Sequence, residues 1–344
     1  MTAERELGFA VLLAGHPGVG PRRLHELVGE HGAAGAWAVV GGDAGADPVA
    51  ALVAHRNAGI EVLGQEDPGY PDRLRTDVEP PAVLFAQGRL DALGGPMVAI
   101  VGTRRCTGSG AGFARELGRD LTAAAVSVVS GLALGIDGAA HRGVLDAGGA
   151  PVGVVGSGLD VVYPSRHREL WAQVRSAGIL LSEAPLGSFP MAWRFPARNR
   201  IIAALADIVV VVESHARGGS LHTVREAADR DVQVMAVPGS VRSAASAGTN
   251  QLLADGCAPV RDATDVLVAL GLSTAARAPR VDRRPRPDGP GRRLLAEIEA
   301  EPATLEHLVV RTGLPLPEVA LALEGLAAHG WVACSSGWYE RVAG

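Results

Sequence analysis

The sequence predicts an α/β protein built on a doubly wound parallel sheet, and three observations carry that expectation. Apolar runs of strand length recur at residues 98–101, 126–129, 152–155, 179–181, 208–212 and 234–237. Most intervals between them hold a helical stretch, as at 111–123, 137–147 and 220–230. Apart from Ser127 the runs are continuously apolar rather than alternating, the pattern of strands covered on both faces by crossover helices. Such an order of elements is Rossmann-like, and a ligand is expected beyond the carboxyl ends of the strands.

Taken in order, residues 1–65 read as short helices rich in Ala, Leu and Val. Within them His16-Pro17-Gly18-Val19-Gly20-Pro21 separates two amphipathic stretches. This turn is either a helix-hairpin-helix (SAM-like) element, whose glycines let backbone N–H groups approach a phosphate, or a tight turn in a small bundle. Asp67-Pro68-Gly69-Tyr70-Pro71 is turn chemistry and marks a boundary. The strand–helix region then covers 66–272.

Residues 273–291 are rich in Pro, Arg and Ala without apolar periodicity, and read as a partly extended linker. Seven arginines stand against two aspartates between 275 and 293. That excess is either simply solvated or touches an acidic partner. Residues 292–344 read as a separate unit. A helix covers 292–300, Thr304 caps a second that stops at Gly313, and Pro315 and Pro317 open a third that runs to Gly330. A hairpin over 331–342 follows, and three helices with a hairpin make a winged helix. Its recognition-helix candidate, 316–329, carries Glu318 and Glu324 but no arginine. Major-groove reading needs positive and amide side chains there, so protein contact fits this unit better.

Composition narrows the chemistry. With 344 residues, 47% of them hydrophobic and 20% charged, the chain can bury sizeable cores. A net charge of −5 lacks the basic footprint usual for nucleic-acid binders. All 32 basic residues are arginine. The missing lysine excludes P-loop, Schiff-base and protein-kinase chemistry, and leaves any phosphate to arginine, backbone N–H groups or hydroxyls. Cys106, Cys257 and Cys334 lie far apart with no ligand spacing, so neither a disulfide nor a metal site is expected, and a reducing cytoplasm is the natural compartment. No apolar run reaches membrane-spanning length. Aromatic residues make up only 4%, so base stacking is expected to add little to any nucleic-acid affinity.

The candidate site lies in the loops that follow the strands. They read Gly102-Thr103-Arg104, Ser130-Gly131, Gly156-Ser157-Gly158, Arg198-Asn199-Arg200, and Gly219-Ser220 with Thr223. Gly/Ser/Thr loops that open onto helix N-termini form anion nests. Several on one sheet edge, joined by Arg104, Arg198 and Arg200, call for a phosphodiester or a nucleotide phosphate. Gly108-Ser109-Gly110-Ala111-Gly112-Phe113 fails the dinucleotide fingerprint at its last position. Asp137 and His141, four apart, suggest acid–base work, but the plainer reading is that Asp137 caps its helix and His141 bonds a neighbouring loop. Glu183 and Glu213 end strands at the ligand edge, to bind a ribose hydroxyl or orient an arginine. No catalytic set appears, and no cofactor is expected. The site is built to bind rather than to react.

These loops together resemble the DNA-processing protein A (DprA/Smf) family. The resemblance rests on Gly-Thr-Arg at 102–104, Ser-Gly-Leu-Ala-x-Gly-Ile-Asp-x-x-Ala-His at 130–141, and Gly-x-Gly-Leu-Asp at 156–160. It rests also on Phe-Pro-x-Arg-Asn-Arg-Ile at 195–201, Gly-Ser-x-x-Thr at 219–223 and Val-Pro-Gly at 237–239. It spans roughly 65–272. What it implies is a dimeric recombination mediator that binds and protects single-stranded DNA, loads the RecA recombinase and supports natural transformation. By the same resemblance Arg104 grips a backbone phosphate, Arg198 and Arg200 line the same pocket, and Asn199 orients the loop or contacts a sugar. The family often has a lysine near the Tyr-Pro segment, for which Arg166 or Arg168 is the substitute here. Gly218 stands where a serine is common. The Gly-Gly-Ser-x-x-Thr stretch is also similar to the nucleotide-binding loop of the LOG superfamily. That likeness implies an alternative, a nucleotide phosphoribohydrolase with Glu226 as its acid.

Overall fold

A computed structural model describes residues 3–272, 284–335 and 337–342. Three helices open the chain, α1 (Ala3–Gly15), α2 (Pro21–Val39) and α3 (Pro48–Asn57). Gly18, at φ 81°, takes the turn between the first two, a conformation costly for any residue with a Cβ. Pro21 then starts α2, where its missing N–H loses no hydrogen bond. The Asp47 carboxylate caps α3 by accepting from Val49 and Ala50. Leu13, Leu24 and Leu52 of these helices share one core with Phe85, Trp171 and Leu180, so the helices are packed onto the sheet that follows.

The next elements alternate along the chain. They are β1 (Glu61–Gly64), α4 (Asp72–Arg75), β2 (Val83–Gly88), β3 (Met97–Val101), α5 (Gly108–Ala123), β4 (Ser127–Ser130), α6 (Ile136–Asp146), β5 (Val152–Val154), α7 (Arg168–Ala177) and β6 (Ile179–Ser182). Then come α8 (Arg194–Leu205), β7 (Ile208–Val211), α9 (Ser220–Ala228), β8 (Gln233–Ala236), α10 (Ala247–Ala254), β9 (Ala258–Pro259) and α11 (Ala263–Ala269). The nine strands form one sheet in the order β1-β2-β6-β5-β4-β3-β7-β8-β9. From β6 to β9 every pairing is parallel, while β2 runs antiparallel to both β1 and β6. Three strands depart from the sequence expectation: 61–64 lies inside the stretch read as helical, and 83–88 and 258–259 are unforeseen. β1 is too short to show a period, and pairing with β2 rather than local preference makes it a strand.

Each central strand feeds two cores. Met97, Ala99 and Val101 enter one, and Val98 and Ile100 the other. In β7, Val209 and Val211 part from Ile208 and Val210 in the same way. Successive strand residues face opposite sides, so burial on both sides produces the continuous apolar runs. The chain leaves β3 on one side, through β4, β5 and β6, and returns through α8 to place β7 on the other. The carboxyl ends of β3 and β7 therefore flank a crevice, where open α/β sheets hold their ligands.

The C-terminal residues form α12 (Gly289–Ala300), β10 (Ala303–Thr304), α13 (Leu305–Thr312), α14 (Leu316–Ala328), β11 (Val332–Ser335) and β12 (Trp338–Arg341). A three-stranded sheet, β10-β12-β11, and a core of Leu294, Leu308, Val319, Leu323 and Leu326 hold this unit together. Thr304 caps α13 by accepting from His307, and Gly313, at φ 65°, ends it. Of the expected linker, 273–283 lies outside the described residues. Its end is corrected, because Asp288 caps α12 and Pro290 fits the first turn, so the helix begins at Gly289 rather than 292. Just before it, the Arg284 guanidinium lies 4.0 Å over the Trp331 ring, and the Trp331 indole donates to the Pro285 carbonyl at 3.0 Å. Among the described residues no helix is long and apolar enough to cross a membrane.

Candidate functional site

At the crevice between the ends of β3 and β7 lies a cleft of 620 Å³, lined by Gly102, Thr103, Arg104, Arg198, Gly219 and Thr223 among others. A smaller pocket of 60 Å³ adjoins it, walled by Gly131, Gly156, Ser157 and Tyr163. The two cavities share Arg104, Phe195 and Arg198.

The loop after β3 is held from below. A Cβ at Gly102 would come within 2.5 Å of the Ile136 side chain and 2.9 Å of the Glu213 carbonyl, so only glycine allows this close approach. The Thr103 N–H donates to that carbonyl at 2.7 Å. The buried Glu213 carboxylate accepts from the Thr107 N–H at 2.9 Å and from its hydroxyl at 2.6 Å. Glu213 thus fixes the loop and is spent on it. Arg104 itself is exposed, with its guanidinium 5.0 Å over the Phe195 ring. Tyr163 packs against Phe195 at 5.5 Å.

Arg198, on α8, is buried below. It donates to the Val154 carbonyl and sits so close under Gly131 that a Cβ there would lie 2.0 Å from its Nη1. Burial lowers its pKa to about 10, against the pull of the Asp137 charge, and the nearby Arg104 adds to the lowering. It is still a cation at neutral pH. Burial raises the pKa of Asp137, opposed chiefly by Arg198. The Asp137 carboxylate accepts from the N–H of Gly131 at 3.2 Å and, more weakly, of Ala133 at 3.4 Å. Gly135 is the residue that caps α6, so Asp137 braces the neighbouring loop rather than capping its helix. His141 is fully buried beside the Ser130 backbone, where its ring nitrogens fall short of full hydrogen-bond geometry. Burial, helped by His167 and opposed by the Ser130 backbone, drives its pKa down to about 3, so the imidazole stays neutral.

Asn199, Gly219 and Thr223 line the cleft as the sequence suggests. Ser220 also lines it, at the first turn of α9, with its hydroxyl 2.9 Å from that of Ser214. Other expected residues are elsewhere. The Arg200 guanidinium pairs with Glu183 and donates to the Glu79 carbonyl at 2.7 Å, with both paired side chains sealed from solvent. Two residues along a helix is a rotation of about 200°, so Arg198 and Arg200 cannot share a face. Arg166 lines a separate groove with Arg115 and Arg142, and Arg168 starts α7, exposed. The Ser130 hydroxyl is buried and donates to the Ile100 carbonyl at 2.6 Å. Ser157 walls the small pocket, but its hydroxyl donates to the Val161 carbonyl at 2.8 Å. Gly158 packs against Asp160 and Pro185 instead of lining either cavity. Glu226 is paired with Arg230 at 2.7 Å, and Arg230 also holds Asp77 at 2.8 Å, so the acid of the phosphoribohydrolase reading stands outside the cleft wall.

Sequence reasoning missed Phe195, Tyr163, His215, Arg217 and His222, all of which line one of the two cavities. His215 and Arg217 follow β7, and their signal was the strand order, since the loops flanking a switch point face the ligand. Phe195 stands inside a quoted motif and Tyr163 three residues beyond another, but neither is a phosphate-binding residue type. Among the described residues, no three His, Cys, Asp or Glu side chains come together as a metal site.

The family model for DNA recombination-mediator protein A matches residues 61–271. Protein Smf of Escherichia coli (strain K12) is 36% identical over 281 residues, covering 79% of this chain and 75% of its own length. DNA processing protein DprA of Streptococcus pneumoniae is 41% identical over 201 residues, covering 58% of this chain and 71% of its own. The X-ray structure of the Streptococcus pneumoniae protein superposes with a TM-score of 0.65 at 30% identity, over 78% of this chain and 98% of that one. DNA processing protein A of Helicobacter pylori, described for its single-stranded DNA binding mode, gives a TM-score of 0.54 at 28% identity, over 61% of this chain and 95% of that one. With its sequence matched across the whole parallel sheet and its fold shared with these proteins, the chain belongs to the DNA recombination-mediator protein A family.

Proposed function

We propose that this protein binds single-stranded DNA in the cleft between β3 and β7 and acts as a recombination mediator, protecting the strand and loading RecA during recombination and DNA uptake. The observation that carries the reading is that Arg104 and Arg198, from elements far apart in sequence, line one cleft with the Gly102 and Gly219 loops and also wall the adjoining pocket with Gly131. Membership of the family, and the binding mode described for the Helicobacter pylori relative, support it. Arg104 meets a phosphate at the surface. Arg198 contributes a fixed positive charge from below, and the loop N–H groups with Thr103, Ser220 and Thr223 complete the anion nest. Asn199 contacts a sugar or orients the strand, and Gly156 and Ser157 wall the inner pocket.

The role is one of binding rather than catalysis, carried out in the cytoplasm by a homodimer. The N-terminal hairpin around Gly18 and Gly20 takes the helix-hairpin-helix role. The C-terminal unit acts as a winged helix that meets a protein partner, since α14 presents Glu318 and Glu324 and no arginine. The test is a titration of fluorescent oligothymidylate at several salt concentrations. Wild-type affinity falls steeply with salt through counterion release. Arg104→Ala weakens binding about tenfold and lowers the salt slope by about one. Equal affinity and slope for wild type and variant would remove the cleft from the mechanism. RecA-coated filament formation on protected strands tests the loading step.

A further inference from the structure

Four aromatic side chains are exposed among the described residues: Tyr163 walls the smaller cavity, and Phe189 and Trp193 stand on the segment that leads into Ala192 and Phe195 of the cleft wall, while Trp338 lies in the C-terminal unit. Phe189 is 75% exposed and Met191, between it and Trp193, is 52% exposed. Scattered apolar side chains on a surface are ordinary, but a cluster beside a cleft marks a contact surface. The segment that bears them is anchored at both ends. The Ser188 carbonyl accepts from the Gly158 N–H at 2.9 Å, and the Gly187 N–H donates to the Asp160 carboxylate at 3.0 Å. At the other end the Arg194 N–H donates to the Met191 carbonyl at 3.0 Å as α8 begins, and Ala192 lines the cleft itself. Arginines interleave with the rings, Arg194 lying 4.7 Å over Trp193 and Arg104 5.0 Å over Phe195.

We infer that residues 188–195 form a base-stacking rim, in which Phe189 and Trp193 take the faces of unpaired nucleobases whose phosphates run along the cleft. The inference rests on the proposed function and deepens it by naming what selects a single strand. Arginines and anion nests hold phosphates of a duplex or a single strand alike, whereas only unpaired bases have faces free to stack on an aromatic ring. The segment runs into the cleft wall at Ala192 and Phe195, and two of its rings, Trp193 and Phe195, carry an arginine on one face, so cations that can meet phosphates stand beside rings that can meet bases. The low aromatic content of the chain says nothing against this, because few rings suffice when they stand at the site.

The test compares the full chain with the double variant Phe189→Ala/Trp193→Ala on three probes of equal length: oligothymidylate, the same backbone without bases, and a duplex. The parent binds oligothymidylate more tightly than the abasic strand. The variant loses about tenfold in oligothymidylate affinity for each ring removed and no longer distinguishes the two strands. Its affinity for the abasic strand and the duplex is unchanged. The conservative variant Trp193→Phe keeps most of the discrimination. The inference is overturned if the double variant discriminates as the parent does, or if it loses abasic and oligothymidylate binding equally, which would make the segment a support for the cleft. It is also overturned if the variant changes only the oligomeric state, which would make the rim a self-contact. A parent that binds no strand at all would defeat the proposed function itself, and the rim with it.

Discussion

The Arg104 guanidinium rests 5.0 Å over the face of Phe195, so an exposed, flexible cation is held where the phosphate is proposed to sit. The ring orients the arginine at low entropic cost and leaves its N–H groups free to donate. Phe195→Leu is accordingly expected to weaken oligonucleotide binding a few-fold without changing the salt slope, because the charge remains while its placement is lost. Fluorescence titrations at two salt concentrations separate this outcome from that of Arg104→Ala, which changes both quantities.

The buried pair between Arg200 and Glu183 concerns stability instead. Both side chains are at most 10% exposed, so removing one leaves the other charge unpaired in a dry environment. Arg200→Ala is expected to cost about 3–5 kcal/mol in urea unfolding. Replacing both partners, as in Arg200→Met/Glu183→Leu, is expected to cost clearly less. Surviving folded protein should bind oligonucleotide as the wild type does, since neither group touches the cleft.

Helices α5 and α6 cross at a separation that two glycines permit. A Cβ at Gly143 would lie 1.9 Å from the Arg115 carbonyl oxygen, and one at Gly118 would lie 2.5 Å from that of Ala140. Backbone cannot yield as a side-chain tip can. Gly143→Ala is therefore expected to destabilise by about 3 kcal/mol or more, read from chemical denaturation. Gly148→Ala, at the end of the same region, meets open space but sits at φ 72°, so its cost comes only from the left-handed backbone and is smaller, about 1 kcal/mol.

His141 makes folding depend on pH. Its pKa falls from 6.5 to about 3 on burial, so between those values the unfolded chain binds a proton that the folded chain refuses. Stability is then lost as pH falls through that window, at a slope approaching about 1.4 kcal/mol per pH unit. In His141→Leu this contribution disappears. The stability of wild type relative to the variant should decline steadily between pH 6.5 and 4, measured by urea titration at each pH. A difference that stays flat would mean that the imidazole is charged inside the fold.

Much of the architecture was legible from local pattern. The runs at 98–101 and 208–212 announced strands because they are buried on both faces, and burial on both faces leaves no polar position to interrupt them. The caps at Thr304 and Gly313 were readable because they act within a few residues. β1 and β2 were not, because β1 is a four-residue edge strand decided by its partner and β2 is fixed by antiparallel pairing with β6, far away in sequence.

The site divides along the same line. From the sequence alone came the family resemblance, the small-residue loops at the strand ends and the rule that arginine must do the work of lysine. Only the tertiary structure decided which arginines share a cavity. Arg104 and Arg198 lie far apart in the chain and meet because α8 packs on β3, β4 and β5 and sets Arg198 against Gly131 and Val154, whereas Arg198 and Arg200 are nearly adjacent and part because a helix turns 100° per residue. Proximity in sequence determines which elements form. The pairing of strands, and the side of each helix that meets the sheet, determine which charges stand together.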